Sequence, residues 1–222
     1  MQPIAHFHSP FATKFGIPRQ SGLVPQITGH IVFVPEWRTP EALRGLEGYD
    51  YLWLLWEFSA HRHAAKHPTV RPPLLGGNRR MGVFATRSPF RPNNIGLSSV
   101  RLNGIDYDTP LGPVIHVGGA DLMDGTPILD IKPYLPHVDS HPQARGGFAD
   151  EQPWPQLRVS LPPEVAALFT EQQRAALTHA LELDPRPHYH ADAAKVYALT
   201  FAGHDIRFRV TDGILTVLSP WE

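Results

Sequence analysis

Eighteen residues, RRMGVFATRSPFRPNNIG (79–96), hold four arginines, two prolines, two glycines and two asparagines, and no acid. Guanidinium forks match phosphate and carboxylate oxygens two at a time. Pro89 and Pro92 forbid a continuous helix, so Arg87 and Arg91 are expected on a strand end and a loop. The prolines restrict the unfolded chain, which lowers the entropy lost in fixing the loop. Asn93 and Asn94 tolerate unusual backbone angles, and Gly96 asks for no Cβ room. The stretch therefore reads as a pre-organised anion-binding loop. The rival reading pairs its arginines with acids elsewhere in the chain.

Two further stretches hold candidate chemistry. In GIPRQSG (16–22), Pro18 stiffens a turn from which Arg19 and Gln20 offer donors. By itself it also reads as a surface turn. ADLMDGTPILDIKPYLP (120–136) sets Asp121, Asp124, Asp130, Lys132 and Tyr134 among apolar residues. Its Asp124–Pro127 portion reads as a tight turn in a hairpin. Carboxylates so placed can hold sugar hydroxyls or accept a proton. HRH (61–63) and HYH (188–190) each put two imidazoles on one side of a strand. No carboxylate or cysteine nearby completes a ligand set, so no metal is expected. The chain has no P-loop, nucleophile elbow, HExxH or strand-linked GxGxxG.

These residues need elements to hold them. The chain has 222 residues, 42% of them hydrophobic, with 24 prolines and 18 glycines. That composition favours many turns and short strands. The absence of cysteine excludes disulfides and thiolate chemistry and fits a cytoplasmic protein. The start of the chain shows no signal peptide, and the longest apolar run, YDYLWLLWEF (49–58), is too short to span a membrane. A formal net charge of −1 conceals a sharp division. Residues 58–105 carry eight basic and no acidic side chains, and residues 106–155 carry two basic and eight acidic ones. Such blocks fold against each other or mark an anionic ligand.

The first half reads as β, with strands expected at 26–34, 49–58, 81–88, 97–105 and 113–122, and a short helix at 38–48 capped by Thr39. Without long amphipathic helices between them, the strands suit an antiparallel β-barrel over residues 1–140. Residues 141–156 read as a linker. A small α+β domain follows over 157–222, with a helix at 161–184 and a three-stranded meander at 195–220. The fold class is thus mainly β. In the meander, Arg207 and Arg209 face away from Ile206, Phe208 and Val210.

FGIPRQSGLV, LRGLEGYDYLWLLWEF, RPPLLGGNRRMGVFATRSPFRPNNIGLS, DLMDGTPILDIKPYLP and LDPRPHYH together resemble the TsaA/TrmO family. The resemblance covers most of residues 4–140 and part of the tail. It implies an S-adenosylmethionine-dependent methyltransferase acting on the N6 amine of threonylcarbamoyl-adenosine 37 in tRNA, threonine tRNA in particular. It also implies a non-Rossmann β-barrel, and a homodimer with the cofactor near the subunit interface. Carried over by motif, Pro18, Arg19, Gln20, His61, Arg62, Arg87, Leu97 and the turn Asp121, Leu122, Met123, Asp124 and Gly125 would line the cofactor pocket. Arg62 departs from the small polar amide expected after the histidine.

On that reading, Asp121 or Asp124, ahead of Tyr134, would take the proton from the amine. Arg80 or Arg91 would meet the threonylcarbamoyl carboxylate, with Asn93, Lys132, Arg207 and Arg209 also toward the RNA. Trp53, Trp56, Phe84 and Phe90 are stacking candidates, at least two of them expected in the core. The runner-up is a barrel that binds RNA or a nucleotide without transferring a group. A hydrolase using the clustered aspartates and histidines is a third class.

Overall fold

The structure, a computed structural model, describes residues 1–60, 67–76, 79–151, 156–186 and 194–219. In chain order the strands are β1 (Ala5–His8), β2 (Thr28–Phe33), β3 (Tyr51–Glu57), β4 (Thr69–Val70), β5 (Met81–Gly82), β6 (Ile95–Asp106), β7 (Val114–Gly118) and β8 (Thr126–Pro133). Then come β9 (Arg158–Ser160), β10 (Tyr197–Phe201), β11 (His204–Thr211) and β12 (Ile214–Val217). The α-helices are α1 (Pro136–Asp139), α2 (Pro163–Ala166) and α3 (Glu171–Glu182).

Six strands close an antiparallel barrel in the order β1-β2-β7-β6-β3-β8. Strand alternation divides β3 between the core and the surface. Leu52, Leu54 and Trp56 point into the core, while Tyr51, Trp53 and Leu55 point out. Each inward leucine contributes about 1.5–3 kcal/mol by leaving water. Phe7, Ile31, Ile115, Val117 and Ile128 complete that core.

A second core lies between α3 and a four-stranded sheet of order β10-β11-β12-β9, in which β9 runs parallel to β12. It is not built from the C-terminal region alone. Phe11, Val24 and Ile27 are buried in it, and Phe15 and Ile17 pack against it. The segment between β1 and β2 therefore runs through the other half of the molecule.

Several expected elements differ. Residues 81–88 form only the two-residue β5 followed by a 3-10 turn at Val83–Ala85. The arginine loop thus starts earlier than the β-rich composition suggested. The helix expected at 38–48 is two short 3-10 turns, Pro40–Leu43 and Leu46–Gly48, and the Thr39 hydroxyl bonds the Glu41 carboxylate instead of capping. The helix expected at 161–184 breaks after α2, because Thr170 and Gln173 form a reciprocal capping box that starts α3 afresh. Strands β1, β4, β8 and β9 fall outside the expected ones. At the expected 124–127 turn, Thr126 already pairs with Phe7 and opens β8.

Candidate active site

The connection from β7 to β8 supplies the central acid. Leu122 is fully buried in the barrel core and anchors this connection, so any ligand contact it makes runs through its backbone. Beside it, the Asp121 carboxylate accepts a 2.5 Å hydrogen bond from the Ser98 hydroxyl, and Ser98 Oγ accepts one of 3.0 Å from Trp56 Nε1. Ser98 is buried on β6 and Trp56 on β3. Two neighbouring strands thereby fix one carboxylate oxygen. Burial pushes the Asp121 carboxyl above its ordinary value, against opposition from the Ser98 hydroxyl, nearby backbone N–H groups and the charge of Arg87.

Asp121 lines a cavity of about 250 Å³ whose walls include Ile17, Pro18, Trp56, Phe58 and Met123. The Trp56 and Phe58 rings meet edge to face at 4.3 Å. Gly96 is required here for space. A Cβ at this position would lie 2.3 Å from the Trp56 ring, far inside van der Waals contact. The glycine that ends the eighteen-residue stretch is thus the seat of the indole.

Arg87 Nη1 donates a 2.6 Å hydrogen bond to Gln20 Oε1, joining the arginine loop to the GIPRQSG turn. Arg19 Nη2 donates to the Asp184 backbone carbonyl at 3.0 Å. Burial pulls this guanidinium below its ordinary value, and the Asp184 charge opposes the shift. The turn is therefore braced from both sides. Leu97 is 55% exposed. Gly125 makes its turn in the left-handed region at φ +75° and donates its N–H to the Phe7 carbonyl. His61 and Arg62 lie outside the described residues, as do both HxH pairs.

Other expected residues are held elsewhere. Asp124 turns away from Asp121, accepting the Ser9 N–H at 3.1 Å and standing 3.3 Å from His8 Nδ1. Tyr134 packs on Tyr51 and Trp53 and donates its N–H to the Tyr51 carbonyl. Tyr51 starts β3 and Trp56 is near its end, so Tyr134 and Asp121 sit toward opposite ends of that strand, on the order of 15 Å apart. Within one chain they do not form a single site. Arg91 Nη1 donates to the carbonyls of Thr86 and Val83 at 2.6 and 3.3 Å and so holds its own loop in shape.

Arg80 bonds the Thr69 hydroxyl, Arg79 pairs with Glu151, and Lys132 pairs with Asp130. Among the described residues, Arg79 is the one arginine of the stretch within 4 Å of an acid. Among the described residues, then, Arg80, Arg87 and Arg91 form no salt bridge with the acidic block that follows. Asn93 is exposed, and Arg207 and Arg209 occupy the outward face of β11. Phe84 and Phe90 are 79% and 53% exposed, whereas Trp56 is buried and Trp53 donates to Asp139.

Sequence reasoning missed Ser98. The available signal was a hydroxyl among the inward positions of β6, between Gly96 and Val100. Reading every second residue of LSSVRLNGI as core would have exposed it. No group of three or more metal-ligating side chains occurs among the described residues.

A family profile described as tRNA-methyltransferase O N-terminal domain matches residues 6–140, and one described as TrmO C-terminal domain matches residues 154–219. The chain belongs to the TrmO family. The tRNA (adenine(37)-N6)-methyltransferase of Escherichia coli K12 is 41% identical over 219 residues, covering 95% of this chain and 93% of that protein. The protein of the same name from Eikenella corrodens is 44% identical over 170 residues, 76% of this chain and 95% of its own length. The crystal structure of TrmO from Pseudomonas aeruginosa superimposes with a TM-score of 0.78 at 33% identity, over 98% of this chain and 94% of that one. The barrel and the second core are thus TrmO architecture together.

Proposed function

We propose that this chain transfers the methyl group of S-adenosylmethionine to N6 of adenine 37 in tRNA. The observation that carries the proposal is the half-buried Asp121 carboxylate, fixed by Ser98 in the wall of a largely apolar cavity. Family membership supplies the reaction class. When bound, the cofactor supplies a sulfonium methyl, which is already a strong electrophile.

The residues present suit that cofactor. Aromatic faces at Trp56 and Phe58 and the Asp121 carboxylate favour a sulfonium cation. The apolar walls at Ile17, Pro18 and Met123 suit its carbon skeleton, and the Arg87–Gln20 pair suits its carboxylate. This chain's own contribution is then alignment and proton removal. Held by these residues, the cofactor would present its methyl carbon as the electrophile to N6, with its sulfur as the group that leaves with the carbon–sulfur electron pair. The N6 proton passes to Asp121. Raised basicity from burial and closeness to the cavity make Asp121 a better acceptor than Asp124, which is engaged by Ser9 and His8.

We further propose that the acceptor carries the threonylcarbamoyl group, as on threonine tRNA, that the enzyme works as a homodimer, and that it is cytoplasmic. A carbonyl on N6 withdraws its lone pair, so a fixed base is worth more on that acceptor. Phe84 and Phe90 on the arginine loop and Leu97 just after it are exposed, apolar surface that an RNA base or a second subunit would cover. Among the described residues no helix is long and apolar enough to cross a membrane.

The test is transfer of labelled methyl from S-adenosylmethionine to tRNA with and without the threonylcarbamoyl group. Label on adenine 37 of the modified tRNA alone is the expected result. Label on both would remove the requirement for the appended carboxylate, and label on neither would sink the proposed reaction.

A further inference from the structure

A second cavity, larger at about 420 Å³, lies on the other side of the Asp121–Thr126 connection. It opens between the barrel and α3. Its polar lining comes from His8, Gln26, Thr28, His30, Asp124 and Gln172, and its apolar floor from Ala176 and Phe201. Gln26 borders the cleft, and its Oε1 is buried without a hydrogen-bond partner, so the amide must turn to offer that acceptor to a ligand. His8 and His30 are cross-strand partners whose rings stack at 4.9 Å and 18°. His30 in turn faces His116 across β2 and β7 at 6.2 Å.

The lining selects a chemistry. Among the described residues no lysine or arginine borders the cavity, and the Asp124 carboxylate does, which disfavours a phosphate. No metal-ligating cluster is formed among the described residues. What remains is a cleft for a flat, uncharged molecule rich in donors and acceptors. Carboxamides offer both functions on one edge and pair with base edges. A carboxylate accepts an exocyclic amine, and imidazoles and Phe201 give stacking surface. The volume falls in the usual range of small-molecule clefts.

The two cavities share a wall. Asp124 borders this one and Thr126 the other, two residues apart and hence within about 7 Å. The short wall lets neighbouring bases of one RNA strand enter the two cavities.

We propose that the cleft between β1, β2 and α3 is a nucleobase subsite that takes an unstacked base next to the methylated adenine. This rests on the tRNA reading above. Stacking and edge contacts of this kind are worth roughly 1–3 kcal/mol per base, or about 5- to 150-fold in affinity.

The test is a double-mutant cycle on binding. One change is Thr28→Trp, which fills the cleft from an exposed strand position where an aromatic residue is well tolerated. The other is an abasic site on either side of adenine 37 in an anticodon stem-loop. Each change alone should weaken RNA binding 5-fold or more, and the two together should cost no more than one. Gln172→Ala should weaken binding of the intact loop in the same sense, and cofactor affinity should stay at the parent value in both proteins. Full additivity of Thr28→Trp with each abasic site overturns the subsite, as does parental RNA affinity in both variants. If the parent methylates adenine 37 while these results appear, only the subsite fails. If the parent neither binds RNA nor methylates it, the functional reading fails and the subsite falls with it.

Discussion

Replacing Ser98 by alanine removes one hydroxyl that makes two hydrogen bonds, a buried one from Trp56 Nε1 and a partly buried one to Asp121 Oδ1. The indole N–H loses its partner, at a cost of about 1–3 kcal/mol, and the bond to a charged acceptor adds about 1.5–3. Because the alanine site can relax, a total near 3 kcal/mol is expected. For a protein of this size that is a fall of roughly 6–12 °C in Tm. The functional readout is separate. The hydroxyl holds the Asp121 pKa down while burial holds it up, so the Ser98→Ala protein should have a still higher Asp121 pKa. The rising limb of its pH–rate profile should move to higher pH, and Ser98→Thr should restore the parent's limb. Thermal scans and pH–rate profiles on all three proteins decide the matter. A Ser98→Ala protein with the parent's Tm and a superimposable profile would refute the reasoning.

Asp121→Asn should lower kcat about 10²- to 10⁴-fold while raising Tm at pH 8. The sign follows from the raised pKa: an acid harder to ionise when folded costs stability as pH rises from its unfolded value through its folded one, and nothing further above. The stability gain should therefore vanish in scans below the ordinary carboxylate pKa. Gly96→Ala drives a Cβ against the Trp56 ring and should cost about 1–3 kcal/mol, with weakened cofactor binding by calorimetry. Asp184→Asn breaks a bidentate bond to Arg186 at 2.8 and 2.9 Å in a mostly buried pair. A loss of about 3 kcal/mol is expected in chemical denaturation. Gln20→Ala frees the Arg87 guanidinium and should raise KM for the cofactor with kcat nearly unchanged.

The barrel was legible where strands are long and alternate cleanly, as in β3 and β6. It was not legible in β1, whose four residues, AHFH, hold too few periods to register. Two helix expectations failed for opposite reasons. Residues 38–48 had a good start signal, but Gly45 turns into the left-handed region at φ +88° and divides the segment into two short turns. Residues 161–184 had a continuous apolar stripe that hid an internal capping box. The arginine loop was recognisable from composition, yet Arg91 spends its donors on its own loop carbonyls, and no composition reveals that. Asp121 and Asp124 looked equivalent in DLMDG. Their separation into different cavities is decided by Leu122 plunging into the core between them.

The segment joining β1 to β2 has a consequence for synthesis on the ribosome. Its Phe11 rests on Phe201 at 5.1 Å, and its Arg19 is tied to Asp184. The turn that carries Pro18 and Gln20 thus leaves the ribosome well over 150 residues before the surface that supports it. At ordinary translation speeds the wait is on the order of 10–30 s. Until then the barrel strands can pair, but the donor-side wall of the cavity has nothing to lean on. A chain broken off before residue 200 would be a closed barrel with an unsettled mouth. Methyl-transfer competence is in this sense a report that translation has run past the second core.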